Sequence, residues 1–502
     1  MTEPETPKSP PYKPPLVQNW TSLVGGVLVI GSLFAFVLLM AIDLSRGFSN
    51  PYLGILTYGV APAFLVIGLL LVAIGMIVER YRRRRHTPGE IPKYPRIDFN
   101  VARQRKMVGI AAVGGAGFLL VTAFGSYGTY HFTESAGFCG KTCHTVMTPE
   151  YTAYRNSPHA RVACVQCHIG PGASWFVKSK LSGTYQVYAT LFDKYPRPIP
   201  TPIKNLRPAQ ETCEQCHWPQ AFYGNAERVR YHYLPDSANT PWTISLLMKV
   251  GGGDSARGPV GGIHWHMNIS NTIEYIASDS ARQVIPWVRI TDQHGIVTVY
   301  RSETDSATDS LIASTTPRRM DCIDCHNRPT HIYNSPMQAV NLEMSTGRLD
   351  TTLPWLKKNV VEVLAAEYDS TGQALDSIAT TLARDYRNQP DTALVYRTIT
   401  EVQKIYRNNF FPEMKTDWRA YPDNIGHSIY PGCYRCHDGK HKTEDGRVIS
   451  RECSTCHIII GQGSGAESRL IGPEGLEFQH PVNIGQMWKQ MPCTSCHSGR
   501  TP

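Results

Sequence analysis

The sequence is poor in charged residues and contains no cysteine outside a pair. Asp, Glu, Lys and Arg make up 18% of its 502 residues, whereas hydrophobic residues make up 42%. This balance excludes a disordered chain and a collagen-like one. The 14 cysteines form seven closely spaced pairs, and a histidine directly follows the second cysteine of each pair. The length suits two or three domains.

The positive charge is confined to one short segment and does not indicate nucleic-acid binding. Residues 79–106 contain ten Lys or Arg and three Asp or Glu, a surplus of seven within a net charge of +9. A surplus between two apolar stretches is typical of a cytoplasmic loop that sets membrane topology. We therefore expect no nucleic-acid partner.

Three charge-free apolar runs lie at residues 17–42, 47–78 and 107–130. Each exceeds the roughly 20 residues that a helix needs to cross a bilayer. The first run lacks the short basic segment of a cleaved signal peptide, so we expect a permanent anchor. Three buried helices of a soluble protein are the alternative, but long runs beside a basic loop favour three transmembrane helices.

The basic loop also predicts the orientation of the chain. Its cationic residues hold it in the cytoplasm, and they include Arg80, Arg82, Arg83, Arg84, Arg85, Arg103, Arg105 and Lys106. The N-terminus is then cytoplasmic, and the first two helices form a hairpin. Everything from His131 onward is expected on the periplasmic side of a bacterial cytoplasmic membrane.

The cysteine pairs form seven motifs that end in histidine. Six have the spacing Cys-x-x-Cys-His, with cysteines Cys164, Cys167, Cys213, Cys216, Cys322, Cys325, Cys433, Cys436, Cys453, Cys456, Cys493 and Cys496. Their histidines are His168, His217, His326, His437, His457 and His497. The seventh motif comes first in the chain, runs from Cys139 through Cys143 to His144, and is longer by one residue that must bulge.

This spacing is the signature of c-type haem attachment. Two thiols add to the two vinyl groups of one porphyrin, and the following histidine becomes the proximal iron ligand. Zinc ribbons and disulfides also use cysteine pairs, but neither chemistry needs a histidine after every pair. We therefore predict seven covalently bound haem c groups, attached outside the cytoplasmic membrane, where the topology also puts the motifs.

Haems that transfer electrons usually have a second strong iron ligand. The candidate distal ligands are His159, His264, His266, His331, His427, His441 and His480, with Met147 as an alternative at the first haem. The strand-like spacing of His264 and His266 predicts that both point to one face. His294 is expected in a turn, and His232 is undecided.

The fold class predicted is mostly α with large irregular content: three transmembrane helices, then a loop-rich multihaem domain whose core is the haems, with a small β insert. Residues 271–304 read as strands and 353–411 as helices. The expected regions are a cytoplasmic tail (1–19), the anchor (20–130), a trihaem region (131–220), the β insert (221–320), a single-haem helical region (321–420) and a second trihaem region (421–502).

Residues 138–219, directly after a predicted membrane helix, resemble the NapC/NirT/NrfH family of membrane-anchored multihaem quinol dehydrogenases. The resemblance is carried by the first motif, Met147, the run Tyr-Arg-Asn-Ser-Pro-His159, Cys164, Cys213 and the lysine-containing segment 175–183. The chain departs from the family pattern in four ways. It has three expected anchor helices, seven motifs, a first motif that is longer by one residue, and no recognisable quinol-site carboxylate after the lysines.

The resemblance implies a function in quinol oxidation. Electrons from a membrane quinol such as menaquinol would enter at the first haem and leave to a periplasmic cytochrome or reductase. Candidate quinol-site residues are His131, Glu134, Lys178 and Lys180, although lipid-headgroup contact would equally explain the lysines. A terminal reductase of a small oxyanion and a relay subunit bound to other membrane subunits remain alternatives.

Overall fold

The chain is described over most of its length by a computed structural model. The described residues are 15–45, 60–85, 98–142, 144–170, 173–203, 207–217, 224–251, 262–267, 271–305, 309–465, 469–470 and 474–500. They divide into two units, one made of residues 1–132 and 169–182 and the other of residues 133–168 and 183–502.

The described helices and strands are spread along the whole chain. The α-helices are α1 (Trp20–Ser45), α2 (Ala61–Arg85), α3 (Ala102–Thr133), α4 (His144–Arg155), α5 (Cys164–His168), α6 (Ala173–Leu191), α7 (Ala209–Cys213), α8 (Asp309–Ser314), α9 (Cys322–Cys325), α10 (Pro336–Ser345), α11 (Leu356–Ala365), α12 (Thr371–Asp385), α13 (Thr392–Asn409) and α14 (Met487–Gln490). The strands are β1 (Ala226–Tyr233), β2 (Pro241–Met248), β3 (Thr272–Ile276), β4 (Trp287–Thr291), β5 (Val297–Ser302), β6 (Arg318–Arg319), β7 (His441–Lys442), β8 (His457–Gly463) and β9 (Arg469–Leu470).

In the first unit, α1 and α2 pack closely through small residues. A Cβ atom added to Gly25 would lie 2.7 Å from the main-chain oxygen of Gly68, and one added to Gly68 would lie 2.9 Å from that of Gly25. The hydroxyl of Ser22 donates a hydrogen bond of 3.2 Å to the main-chain oxygen of Val72. Small residues at a helix crossing are typical of membrane helix pairs, since they let the backbones approach.

Within the described residues, two helices are long and apolar enough to cross a membrane, and they span Trp20–Ala41 and Ala61–Arg84. Of the three spans expected, these are the two that the described residues support. The third apolar run lies in α3, a helix of 32 residues. Its first turns carry Arg103, Arg105 and Lys106, and many of its central side chains lie outside the described part. A third crossing therefore stays a prediction.

The second unit contains two antiparallel sheets. Their strand orders are β1-β2-β8-β9 and β6-β3-β4-β5-β7. The strands predicted over residues 271–304 are confirmed as β3, β4 and β5. Strands from the C-terminal region complete both sheets, because β8 pairs with β2 and β7 pairs with β5. The predicted β insert and the predicted second trihaem region thus share their sheets.

The helices predicted over residues 353–411 are confirmed as α11, α12 and α13. Their apolar stripes meet in one core, in which Val360, Ile378, Leu382 and Val402 are fully buried. This is the largest cluster of buried apolar side chains in the described part of the chain. The motifs lie outside it, on short helices or single turns, so the fold is mostly helical with some sheet and much irregular structure, as expected.

Candidate haem centres

The thirteen described cysteines form no disulfide. The described part of the chain also contains no group of three or more His, Cys, Asp and Glu side chains that could hold a metal ion. A zinc ribbon would bring four such ligands together.

Each regular motif is one tight turn. In four of them the main-chain nitrogen of the motif histidine donates back to the oxygen of the first cysteine, at 2.8 Å in the Cys213 motif, 2.7 Å in the Cys322 motif, 3.0 Å in the Cys433 motif and 2.8 Å in the Cys493 motif. The first motif begins within a π-helical turn, Phe138–Thr142. A π turn holds one more residue than an α turn, which accommodates the longer spacing. Cys143 and the side chain of His144 lie outside the described part.

Six motif histidines each face a histidine from elsewhere in the chain. The ring centroids are separated by 6.0 Å in His159–His217, 6.2 Å in His168–His331, 6.3 Å in His264–His326, 5.8 Å in His266–His437, 6.3 Å in His427–His457 and 5.8 Å in His480–His497. Metal–imidazole bonds are about 2 Å long, so an iron between two facing rings needs centroids about 6 Å apart. The residues therefore fit a haem iron with two histidine ligands at six motifs.

Five of the six facing non-motif histidines are oriented by hydrogen bonds to main-chain oxygens. Nδ1 donates in His159 to Pro329 (3.1 Å), in His264 to Val250 (3.2 Å), in His266 to Ile263 (2.7 Å), in His331 to Glu150 (3.0 Å) and in His480 to Val482 (2.8 Å). Metal-binding histidines commonly donate their second ring nitrogen in this way. The nitrogen that an iron would take is then Nε2.

The structure corrects the prediction for His441. Its ring is buried, with 1% of its surface exposed, and both nitrogens are engaged. Nδ1 lies 2.9 Å from Asp438 Oδ1, and Nε2 lies 2.7 Å from the main-chain oxygen of Ile285. Burial opposes a charge on this ring, but the hydrogen bonds outweigh it and raise the pKa of His441. The side chain holds local structure together instead of ligating iron.

The expectation that His264 and His266 point to one face is also wrong. They lie on a 3-10 turn, Ile263–Met267, and face different motif histidines. His294 lies in a turn as expected, since Asp292 Oδ1 accepts hydrogen bonds from the nitrogens of His294 and Ile296. His232 is half-buried, and this burial lowers its pKa to about 4.

The remaining candidates lie near the membrane-anchoring part of the sequence. Met147 is half-buried on α4, and its role at the first haem stays a prediction. His131 lies in the last turn of α3, where its ring is 4.3 Å from that of Tyr127. Lys178 on α6 lies 4.6 Å from the ring of Trp175. Lys180 also lies on α6, and Glu134 comes directly after the end of α3. The part of both residues in a quinol site stays a prediction.

Asp324 is a structural residue that the sequence reasoning missed. It lies between the cysteines of the Cys322 motif with 3% of its surface exposed. Its Oδ1 accepts hydrogen bonds from Tyr275 Oη (2.7 Å), Arg318 Nε (2.9 Å) and Arg282 Nη1 (3.1 Å). The available signal was that an acidic residue directly precedes the second cysteine in this motif alone.

Consecutive motifs are neighbours in space along the whole series. Their cysteines lie close enough to affect one another's thiol pKa in the pairs Cys139–Cys164, Cys167–Cys213, Cys213–Cys322, Cys325–Cys433, Cys433–Cys456 and Cys453–Cys493. Each motif therefore has the next motif of the sequence as a neighbour.

Comparison with known proteins identifies the family of the chain. Residues 101–199 match the family described as NapC/NirT cytochrome c family, N-terminal region. The chain is 44% identical over 485 residues to Cytochrome c-type protein ImcH of Geobacter sulfurreducens, which covers 95% of each chain. No solved structure matches. The chain therefore belongs to the NapC/NirT-type multihaem cytochromes c, which are membrane-anchored electron-transfer proteins with covalently bound haem.

Proposed function

We propose that this chain is a seven-haem cytochrome that takes electrons from membrane quinol and passes them along its haems to a periplasmic partner. The observation that carries the proposal is the unbroken series of neighbouring motifs from Cys139 to Cys493. Electron transfer between haems needs them close together, and this series provides a path with the first haem at the anchor.

The six facing histidine pairs support electron transfer over catalysis at those centres. A terminal reductase needs an open iron position for its substrate, whereas two histidine ligands fill both axial positions. We propose His168, His217, His326, His437, His457 and His497 as proximal ligands, each with the facing histidine as its distal ligand. The first haem would use His144, with Met147 as the candidate second ligand.

Quinol would be oxidised near the first haem, where the chain leaves the membrane. His131, Glu134, Lys178 and Lys180 are the proposed polar groups for its oxygens and protons. The N-terminus would be cytoplasmic and the haems periplasmic, as the basic loop indicates. Electrons would leave from the Cys493 haem to a periplasmic cytochrome or reductase.

The test compares the two ends of the haem series. A menaquinol analogue should reduce the haems of the purified protein. A Cys139→Ala, Cys143→Ala variant should lose reduction by quinol while dithionite still reduces its remaining haems. In the matched Cys493→Ala, Cys496→Ala variant, quinol should still reduce the remaining haems. Failure of quinol to reduce the unaltered protein would overturn the proposal.

A further inference from the structure

One short turn presents histidines to two separate motifs. His264 and His266 both lie on the 3-10 turn Ile263–Met267, and they face His326 and His437 respectively. We propose that this turn supplies the sixth ligands of two different haems, at Cys322 and at Cys433, and so joins the two haem-rich parts of the chain. The inference rests on the haem attachment proposed above, but it can be tested without quinol.

The helical type of the turn explains why its two histidines diverge. A 3-10 helix has three residues per turn, so residues two apart in sequence point in directions about 120° apart. A strand would direct both rings to one side of the backbone. Trp265, between them, packs against the buried side chains of the second sheet, among them Tyr275 and Val288. The turn is thereby anchored with one histidine on each flank.

Main-chain contacts hold the turn in position. The nitrogen of Ile263 donates to the oxygen of Lys249 (2.8 Å), and that of His264 donates to the oxygen of Val250 (3.1 Å). Gly262 precedes the turn with a φ of +80°, and a Cβ there would lie 2.4 Å from the oxygen of Lys249. A glycine is therefore required at this position.

The two motifs are also joined to each other independently of the turn. Arg435, within the Cys433 motif, donates 2.6 Å to the main-chain oxygen of Asp324, within the Cys322 motif. The side-chain amide of Asn424 donates 3.0 Å to the same oxygen. Both haem sites are thus held at a fixed separation, which is what a junction for electron transfer requires.

The ring planes distinguish the two centres. The planes of His264 and His326 are nearly parallel, at 8°, whereas those of His266 and His437 are nearly perpendicular, at 79°. Parallel imidazole planes split the iron d orbitals strongly, and perpendicular planes split them weakly. The ferric Cys322 centre should therefore give a rhombic low-spin EPR signal, and the Cys433 centre a strongly anisotropic one.

The experiment replaces each histidine separately and together in the full-length protein. His264→Ala and His266→Ala should each convert one of the seven proposed haems to the high-spin ferric state, with loss of a rhombic signal in the first and of an anisotropic signal in the second. The double variant should contain two high-spin haems. Added imidazole should restore the low-spin state. His294→Ala, on an exposed turn, is the matched control and should change no haem.

The outcomes separate this inference from the proposed function. A double variant with one high-spin haem, or none, would overturn the inference, because the histidines would not serve two irons. If alanine destabilises the fold, His264→Met and His266→Met provide the second test. Methionine can ligate iron and raises its potential, so each variant should shift a different haem upward in a redox titration. Titrations identical to that of the unaltered protein would contradict the proposal, whether or not quinol is a donor.

Discussion

Arg435 lies within the Cys433 motif and donates hydrogen bonds to main-chain oxygens in and around the Cys322 motif. Its Nη2 donates 2.6 Å to the main-chain oxygen of Asp324, and its Nη1 donates 2.9 Å to that of Arg282. Both acceptors belong to the structure around the Cys322 motif, which is more than 100 residues away in sequence. A single guanidinium thus couples the geometry of two haem sites.

We expect Arg435→Ala to lower the free energy of unfolding by about 2–4 kcal/mol, because hydrogen bonds from a charged donor to two carbonyls in partly buried surroundings are lost. Thermal unfolding followed by haem absorbance measures the change. Arg447→Ala is the control, since the side chain of Arg447 forms an exposed ion pair with Asp445. Equal midpoints for the two variants would argue against the coupling.

Asp324→Asn should be strongly destabilising. The carboxylate is buried and faces both Arg318 and Arg282, so its neutralisation leaves two cations without their partner. Removing one member of a buried ion pair costs about 3 kcal/mol or more. Asp309→Asn, at a carboxylate that is 88% exposed, should be near neutral. Denaturant unfolding compares them, and similar stabilities would contradict this role.

His441→Ala should destabilise the protein without changing any haem. The substitution removes the ring contacts with Asp438 Oδ1 and with the carbonyl of Ile285, at a cost of about 2–3 kcal/mol. His427→Ala should instead produce one high-spin haem.

The contribution of His441 to stability should depend on pH. Because the pKa of His441 is raised, this stabilising contribution is largest below about pH 6.5 and is lost at higher pH. A high-spin haem in the His441 variant would show that it is a ligand.

Lys357 should make stability depend on pH. Its ammonium is 1% exposed and donates to Asn341 Oδ1 (2.7 Å) and the oxygen of Met337 (3.0 Å). Burial lowers the pKa of Lys357 from 10.5 to about 7. Between these values only the unfolded chain binds the proton, so the free energy of unfolding rises by about 1.4 kcal/mol per pH unit.

Lys357→Met should remove that dependence, while Lys358→Met, at the exposed neighbouring position, should keep it. Thermal midpoints from pH 7 to 9.5 provide the measurement. If the midpoint of the unaltered protein relative to Lys357→Met stays constant over this range, the buried lysine is not the group that titrates.

Local features were predictable from the sequence. The apolar stripe of α11 that contains Val360 follows from the helical periodicity of the sequence. The two strands on either side of Asp292, β4 and β5, follow from the turn residues between them. Both predictions are confirmed. The roles of His427 and His441 were not separable, because both bracket the Cys433 motif in similar polar surroundings. Only the fold places the main-chain oxygen of Ile285 beside the ring of His441 and the ring of His457 opposite that of His427.

The sequence by itself determined the apolar runs and the cysteine–histidine motifs, because membrane insertion depends on continuous hydrophobicity and haem attachment depends on residues within one turn. The tertiary structure alone decided which histidines face each other. His168 and His331 are far apart along the chain, yet their rings lie 6.2 Å from each other. Such pairs form only when separate segments pack together, and no local pattern encodes that packing.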